Sequence, residues 1–143
     1  MNRKQHVLLA LLFFLLTPLL TFVLLYLRGL PEFAAGHLEG VVIWVFGVTW
    51  IPALWASVLL TVIVSGITRR TDYFHQPFDF GRSFSLGAIA GALTEAVATG
   101  SYRTITHHPF SDFWIAGAMI SGCLVGAGLV PLVLSLRRPT KSK

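Results

Sequence analysis

Four apolar runs, residues 7–27, 40–68, 84–101 and 113–136, take up most of this 143-residue chain, and they leave it few ways to fold. In hydrocarbon, every backbone N–H and C=O must find its partner inside the protein, so an isolated apolar run crosses a membrane as a helix. About 20 helical residues cross ~30 Å of hydrocarbon, and each run is long enough, or nearly so. Composition agrees. Hydrophobic residues make up 55% of the chain and charged residues 12%, where soluble domains carry about 25% charged residues. The connections are short and leave no room for a separate extramembrane unit. The sequence predicts an all-α polytopic membrane protein: one four-transmembrane-helix bundle with short loops, with residues 1–143 as a single transmembrane domain.

Lys and Arg give the expected orientation, because short loops rich in them stay on the cytoplasmic side. Arg3, Lys4, Arg69, Arg70, Arg82, Arg137, Arg138, Lys141 and Lys143 fall on one side of the four runs, and only Arg28 and Arg103 on the other. Both termini are expected to face the cytoplasm, in one fixed orientation. The net charge of +5 and the pI near 10.0 match basic residues meeting anionic headgroups at span ends, and nucleic acid is not expected as a partner. Arg3 and Lys4 ahead of an apolar stretch also open a secretory signal, but residues 7–27 exceed the ~7–15 residues of a signal core and lack a small-residue cleavage site. The first run is read as a retained anchor. Cys123, the one cysteine, allows no internal disulfide and is read as a small packing residue.

The loops divide by side. The cytoplasmic connection mixes Tyr73, Phe74, Phe78 and Phe80 with Asp72, His75 and Asp79, as suits headgroup depth. On the external side, Phe113 and Trp114 are read as an aromatic anchor at the interface. Residues 40–68 would reach about 43 Å as a helix at ~1.5 Å per residue, so that span must tilt, kink or project. Pro52 removes the donor for the Val48 carbonyl and is read as a packing kink. Pro18 and Pro131 repeat the pattern in the first and last spans.

Glu95 is the acid that stands out. It interrupts a stretch of small apolar residues about 16 Å from the cytoplasmic end of its span, close to mid-membrane. A charge there costs at least ~2.5–3.5 kcal/mol, so Glu95 should face the helix bundle, be neutral, or find a partner. Its neighbour Thr94 and the residues at similar depth on other spans, Thr17, Trp55, Ser57 and Ser121, form the expected intramembrane polar site. Arg103 is a further candidate if its helix ends near Ser101 and the side chain reaches inward. Gly87 with Gly91, and Gly122 with Gly126, make two small-xxx-small pairs that should let the third and fourth spans approach closely.

Other chemistry is thin. His37, Glu39, His107, His108 and Asp112 gather nitrogen and oxygen donors on the external side, but the spacing matches no standard zinc set, and a solvated loop is the stronger reading. No Ser-His-Asp order, phosphate loop or paired carboxylates occur. No catalytic residue, metal site or cofactor is assigned, and an enzyme is not expected.

Three short patterns carry a resemblance: Thr17-Pro18-Leu19, Ile51-Pro52-Ala53-Leu54, and Gly91 through Thr94-Glu95. With these and its overall layout, the chain resembles the small four-span bacterial inner-membrane proteins of the CbrB type. The resemblance implies a location in the bacterial inner membrane and contributes no chemistry. The Trp-rich second span and the His107-His108 loop lie outside it. Three functional classes then compete, with a membrane enzyme last because no nucleophile or metal set is identifiable. A non-enzymatic accessory, partner-binding or immunity-type protein would pair with another membrane protein or a second copy through small-residue faces, and it tolerates a sealed Glu95. A proton- or cation-coupled transporter or channel subunit would use Glu95 directly. The binding class ranks first on sequence, because coupled transport usually employs several intramembrane ionisable groups.

Overall fold

The structure, a computed structural model, describes residues 1–27, 38–71, 78–107 and 112–136, with side chains from residue 49 onward in the second segment. The predicted sites at His37, Glu39, His75 and His108 lie outside the described side chains, as do Arg28 and the basic residues from 137 on. Four helices account for nearly all of what is described: α1 (Arg3–Leu27), α2 (Leu38–Arg70), α3 (Phe80–Thr106) and α4 (Asp112–Ser135).

Local chemistry starts and stops them. Asn2 and Gln5 cap α1 reciprocally: the Gln5 N–H donates to Asn2 Oδ1, and the Asn2 N–H to Gln5 Oε1, both at 2.9 Å. Two of the N–H groups at the helix start are satisfied in this way. Asp79 opens α3 by accepting the Arg82 N–H at 3.1 Å, a role its short carboxylate suits. His107 closes α3 in the left-handed region at φ 51°, which belongs to the last residues of a helix. Helix continues through Pro18, Pro52 and Pro131.

Neighbouring helices run antiparallel. Along α1 and α4, Gln5 meets Val133, Thr21 meets Ser121, and Leu25 meets Gly117, so one sequence rises as the other falls. Between α1 and α2, His6 reaches Ser65 at 2.9 Å, and Phe14 packs edge-to-face on Trp50 with centroids 4.7 Å apart. α3 packs on both α2 and α4. The four therefore close a ring in chain order. Arg3, Lys4, Arg69, Arg70 and Arg82 gather at the end where α1 begins, and Arg103 stands at the other.

Polarity is inverted relative to a water-soluble protein. Leu11, Leu15, Leu19 and Val23 form an outward stripe on α1, and Ile89, Leu93 and Val97 form another on α3. Gln5, Thr17, Thr21, Ser57, Thr68, Ser83, Thr94, Glu95, Thr99 and Ser121 are buried. Among the described residues, three helices are long and apolar enough to cross a membrane: α1, residues 49–70 of α2, and α4. α3, predicted over residues 84–101, extends from 80 to 106 and falls outside that set. Its inward face is spent on Gly, Ser, Thr and Glu, which lowers its average hydropathy while its outer stripe stays apolar.

The interior has two halves. Near the basic end it is dry, built from Leu9, Phe13, Leu60, Val64, Val130, Val133 and Leu134. Beyond Phe13 it turns polar.

The Glu95 chamber as candidate functional site

α3 and α4 cross at four glycines, and this crossing sets the geometry of everything beside it. A Cβ placed on Gly87 would collide with the Gly126 carbonyl, and one on Gly91 with the Gly122 carbonyl. Only residues without a side chain permit two helical backbones to lie so close. The sequence pairing of Gly87 and Gly91 against Gly122 and Gly126 is the pairing found here. A Cβ on Gly122 would also stand 2.6 Å from Glu95 Cγ. The glycine that lets the helices touch thus makes room for the Glu95 stem.

Glu95 is 3% exposed and lies along α3 about 22 Å from Phe80. It lines a small chamber with Thr17, Pro18 and Thr21 of α1, Thr49, Pro52 and Ala53 of α2, Thr99 of α3, and Trp114 and Ala118 of α4. All four helices contribute. The chamber measures about 10 Å³, space for about one water-sized guest. Thr17 stands beside the carboxyl group. Glu95 Oε1, fully buried, has no hydrogen-bond partner among the described residues, a costly position for a carboxyl oxygen.

The surrounding hydroxyls explain why. Thr17 donates to the Phe13 carbonyl at 2.9 Å, and Thr94 to the Gly91 carbonyl at 3.1 Å. Thr21 has the Thr17 carbonyl at 2.8 Å and Ser121 Oγ at 2.9 Å, while Ser121 donates to the Gly117 carbonyl at 2.8 Å. Thr21, Thr94 and Ser121 each have a neighbouring acceptor, and Thr17 has two, the Phe13 carbonyl and the Glu95 carboxyl group, so none of the four donates to Oε1. Pro18 and Pro52 add further acceptors, since each leaves the carbonyl four residues earlier without its helical N–H.

The predicted polar set separates. Thr17 joins Glu95 in the chamber, and Ser121 borders it through Thr21. Thr94 is buried but turned to its own helix. Trp55 is 64% exposed on the outer face of α2, so similar depth did not mean a shared face. Ser57 is buried away from the chamber and donates to the Leu54 carbonyl at 2.8 Å. Arg103 does not reach inward. α3 continues to Thr106, which carries Arg103 past the chamber, where it pairs with Asp112 at 2.8 Å in an exposed position. That pair also occupies Asp112, one of the external metal candidates, and His107 is exposed. Among the described residues no group of three His, Cys, Asp or Glu is placed to hold a metal ion.

Sequence reasoning missed Thr21, Thr49, Thr99 and Trp114. Helical spacing could have found two of them: Thr21 follows Thr17 by four residues, and Thr99 follows Glu95 by four, which puts each pair on one face. Trp114, read as an interface anchor, is turned inward, while Phe113 beside it is exposed. The chain matches no protein-family model, no curated protein and no solved structure.

Proposed function

We propose that this is a small integral membrane protein that crosses the bilayer four times with both termini in the cytoplasm, and that it handles a proton or small cation at Glu95. The supporting observation is the polarity of α3, which turns Ile89, Leu93 and Val97 outward and Thr94, Glu95 and Thr99 inward. A helix in water would do the reverse. A helix in lipid must do this, because a carboxyl group facing hydrocarbon costs several kcal/mol. The resemblance to CbrB-type proteins makes the bacterial inner membrane the proposed location, with the lipid bilayer as first partner. The ion-handling class now ranks above the accessory class for one reason. An acid that only locked helices together would have both oxygens bonded, whereas Thr17 bonds the carboxyl group and Oε1 has no partner among the described residues.

The accessory or immunity-type reading retains one observation in its favour. The chamber has room for about one water, and its neighbour toward the basic end is the dry core, so the described residues of a single copy enclose no continuous aqueous path. On that reading the chain is non-enzymatic and binds a second membrane protein or its own copy, with Glu95 as a neutral packing group.

Replacement of Glu95 separates the two. Glu95→Gln keeps size and hydrogen-bonding capacity but cannot exchange a proton or carry charge. On the ion-handling reading, the variant accumulates and melts like wild type yet loses the cellular phenotype of the intact gene. On the accessory reading, Gln suffices and only Glu95→Ala, which empties part of the chamber, impairs stability and phenotype together. A Gln variant with full phenotype sinks the ion-handling reading.

A further inference from the structure

We infer that the Glu95 chamber is a binding site for one monovalent metal cation, held between the Glu95 carboxylate and threonine oxygens and reached from the Arg103–Asp112 end. The inference rests on the ion-handling reading above and names its ligand.

Three features lead there. The first is donor balance. Glu95 Oε1 is buried without a partner among the described residues; the Thr21 proton has the Thr17 carbonyl or Ser121 Oγ, and the Thr17 proton is shared between the Phe13 carbonyl and the other side of the Glu95 carboxyl group. Oxygen lone pairs of Glu95, Thr17 and Thr21 therefore border the chamber, beside the ring of Trp114. A water molecule brings two protons to such a site but also a lone-pair side of its own, whereas a cation satisfies several oxygens at once. Hard cations take oxygen ligands of this kind: carboxylate, hydroxyl and carbonyl.

The second is charge. Among the described residues one carboxylate is the sole formal charge lining the chamber, and Arg103, the nearest cation on the same helix, is committed to Asp112 outside. A single positive charge neutralises that carboxylate. A divalent ion would leave a net charge buried in low dielectric, which costs far more than the site's neutral oxygens return. Among the described residues the lining holds no imidazole, thiol or thioether, which disfavours the softer transition metals. The size, about 10 Å³, admits one bare ion and no hydration shell.

The third is position. Leu9, Phe13, Leu60, Val64, Val130 and Val133 fill the interior on the basic side, so hydrocarbon packing blocks approach from there. On the other side the lining passes through Thr99 and Trp114 toward the exposed Arg103–Asp112 pair. Because α1 to α4 each supply lining residues, an ion in the chamber ties all four helices together and must stabilise the folded protein in proportion to its occupancy.

That linkage is the test. The full chain, purified and placed in nanodiscs, is melted in LiCl, NaCl and KCl, with choline chloride holding ionic strength constant. The proposal expects a saturable rise of roughly 5–10 °C for one alkali ion at about a hundred times its dissociation constant. Glu95→Gln should abolish the ion dependence while keeping the choline melting temperature. Thr17→Val, which retains shape but removes one oxygen, should weaken the apparent affinity about tenfold. Equal melting in all four salts overturns the proposal, as does an alkali-ion shift that persists in Glu95→Gln. A shift that follows pH alone also overturns it, but leaves the wider reading of Glu95 intact with the proton as its ligand. Release of the protein from membranes by alkaline carbonate would instead refute the membrane placement on which both depend.

Discussion

Gly91→Ala should destabilise the protein although it adds only one methyl group. In the structure that methyl would fall on the Gly122 carbonyl, 2.8 Å from its carbon and 3.3 Å from Gly126 Cα. Carbon atoms pack comfortably at ~3.5 Å or more, which alone asks about 0.7 Å of separation between α3 and α4, and the carbonyl oxygen, closer still to the methyl, demands more. The opposing atoms are backbone and cannot rotate aside. Opening the seam at Gly91 also lifts the neighbouring Gly87–Gly126 contact, and the cost belongs at the upper end of the ~1–3 kcal/mol typical of overpacking. Alanine's better helix propensity returns up to ~1 kcal/mol. The net loss is about 2 kcal/mol, or about 8 °C in melting temperature at ~4 °C per kcal/mol for a chain of this size. Gly128→Ala is the matched control, since nothing lies within 4 Å of its added methyl, and it should melt at or slightly above wild type. A thiol-reactive fluorophore can follow unfolding through the half-buried Cys123 with no engineered cysteine. If Gly91→Ala melts together with Gly128→Ala, the two helices do not cross at these glycines and the packing described here is wrong.

Two further predictions concern topology and the dry end. In a Cys123→Ser background, a cysteine at Asn2 should be shielded in intact cells from a membrane-impermeant thiol reagent and one at Thr104 should be labelled; labelling at Asn2 from outside would overturn the cytoplasmic N-terminus. Gln5→Ala removes one half of the α1 capping box and the bond from Gln5 Nε2 to the Val133 carbonyl at 3.0 Å, and should cost about 2 kcal/mol. Gln5→Glu keeps the acceptor but loses the donor to Val133 and should fall between; identical melting of all three proteins would show that this end is not held as described.

Much of this architecture was legible in the sequence because membrane constraints act on long stretches. The apolar runs marked α1, α2 and α4 through hydropathy alone, and the glycine spacing at 87, 91, 122 and 126 marked the seam through the lack of side chains. The boundaries of α3 were less legible. Its ends carry Phe80, Arg82, Arg103 and Thr104, which hydropathy assigns to loops, yet Asp79 and His107 cap the helix beyond them. Depth alone also misled at the site. Trp55 and Ser57 stand at a plausible height but on other faces, because a helix turns by 100° per residue and similar depth leaves the direction open. Arg103 failed for a local reason: Asp112, nine residues on, sits within its reach outside the core. Trp114 turned inward where an interface anchor was expected, a choice that depends on what α1 and α2 leave unfilled and that no local pattern carries.

The seam and the chamber are one construction. Gly122 faces two ways: its missing side chain admits the Gly91 backbone, and the same vacancy of atoms gives Glu95 Cγ its place at what would be 2.6 Å from a Cβ. The carboxyl group is therefore held by the closest-packed pair of helices in the protein, where neither backbone can shift without parting the other. Across from it, α1 and α2 present Pro18 and Pro52, residues that weaken their own helices at the level of the chamber. Rigid support on the side of the acid faces a more deformable wall of threonine and proline. If an ion enters, the movement that admits it should fall on α1 and α2, and the position of Glu95 relative to α4 should stay fixed.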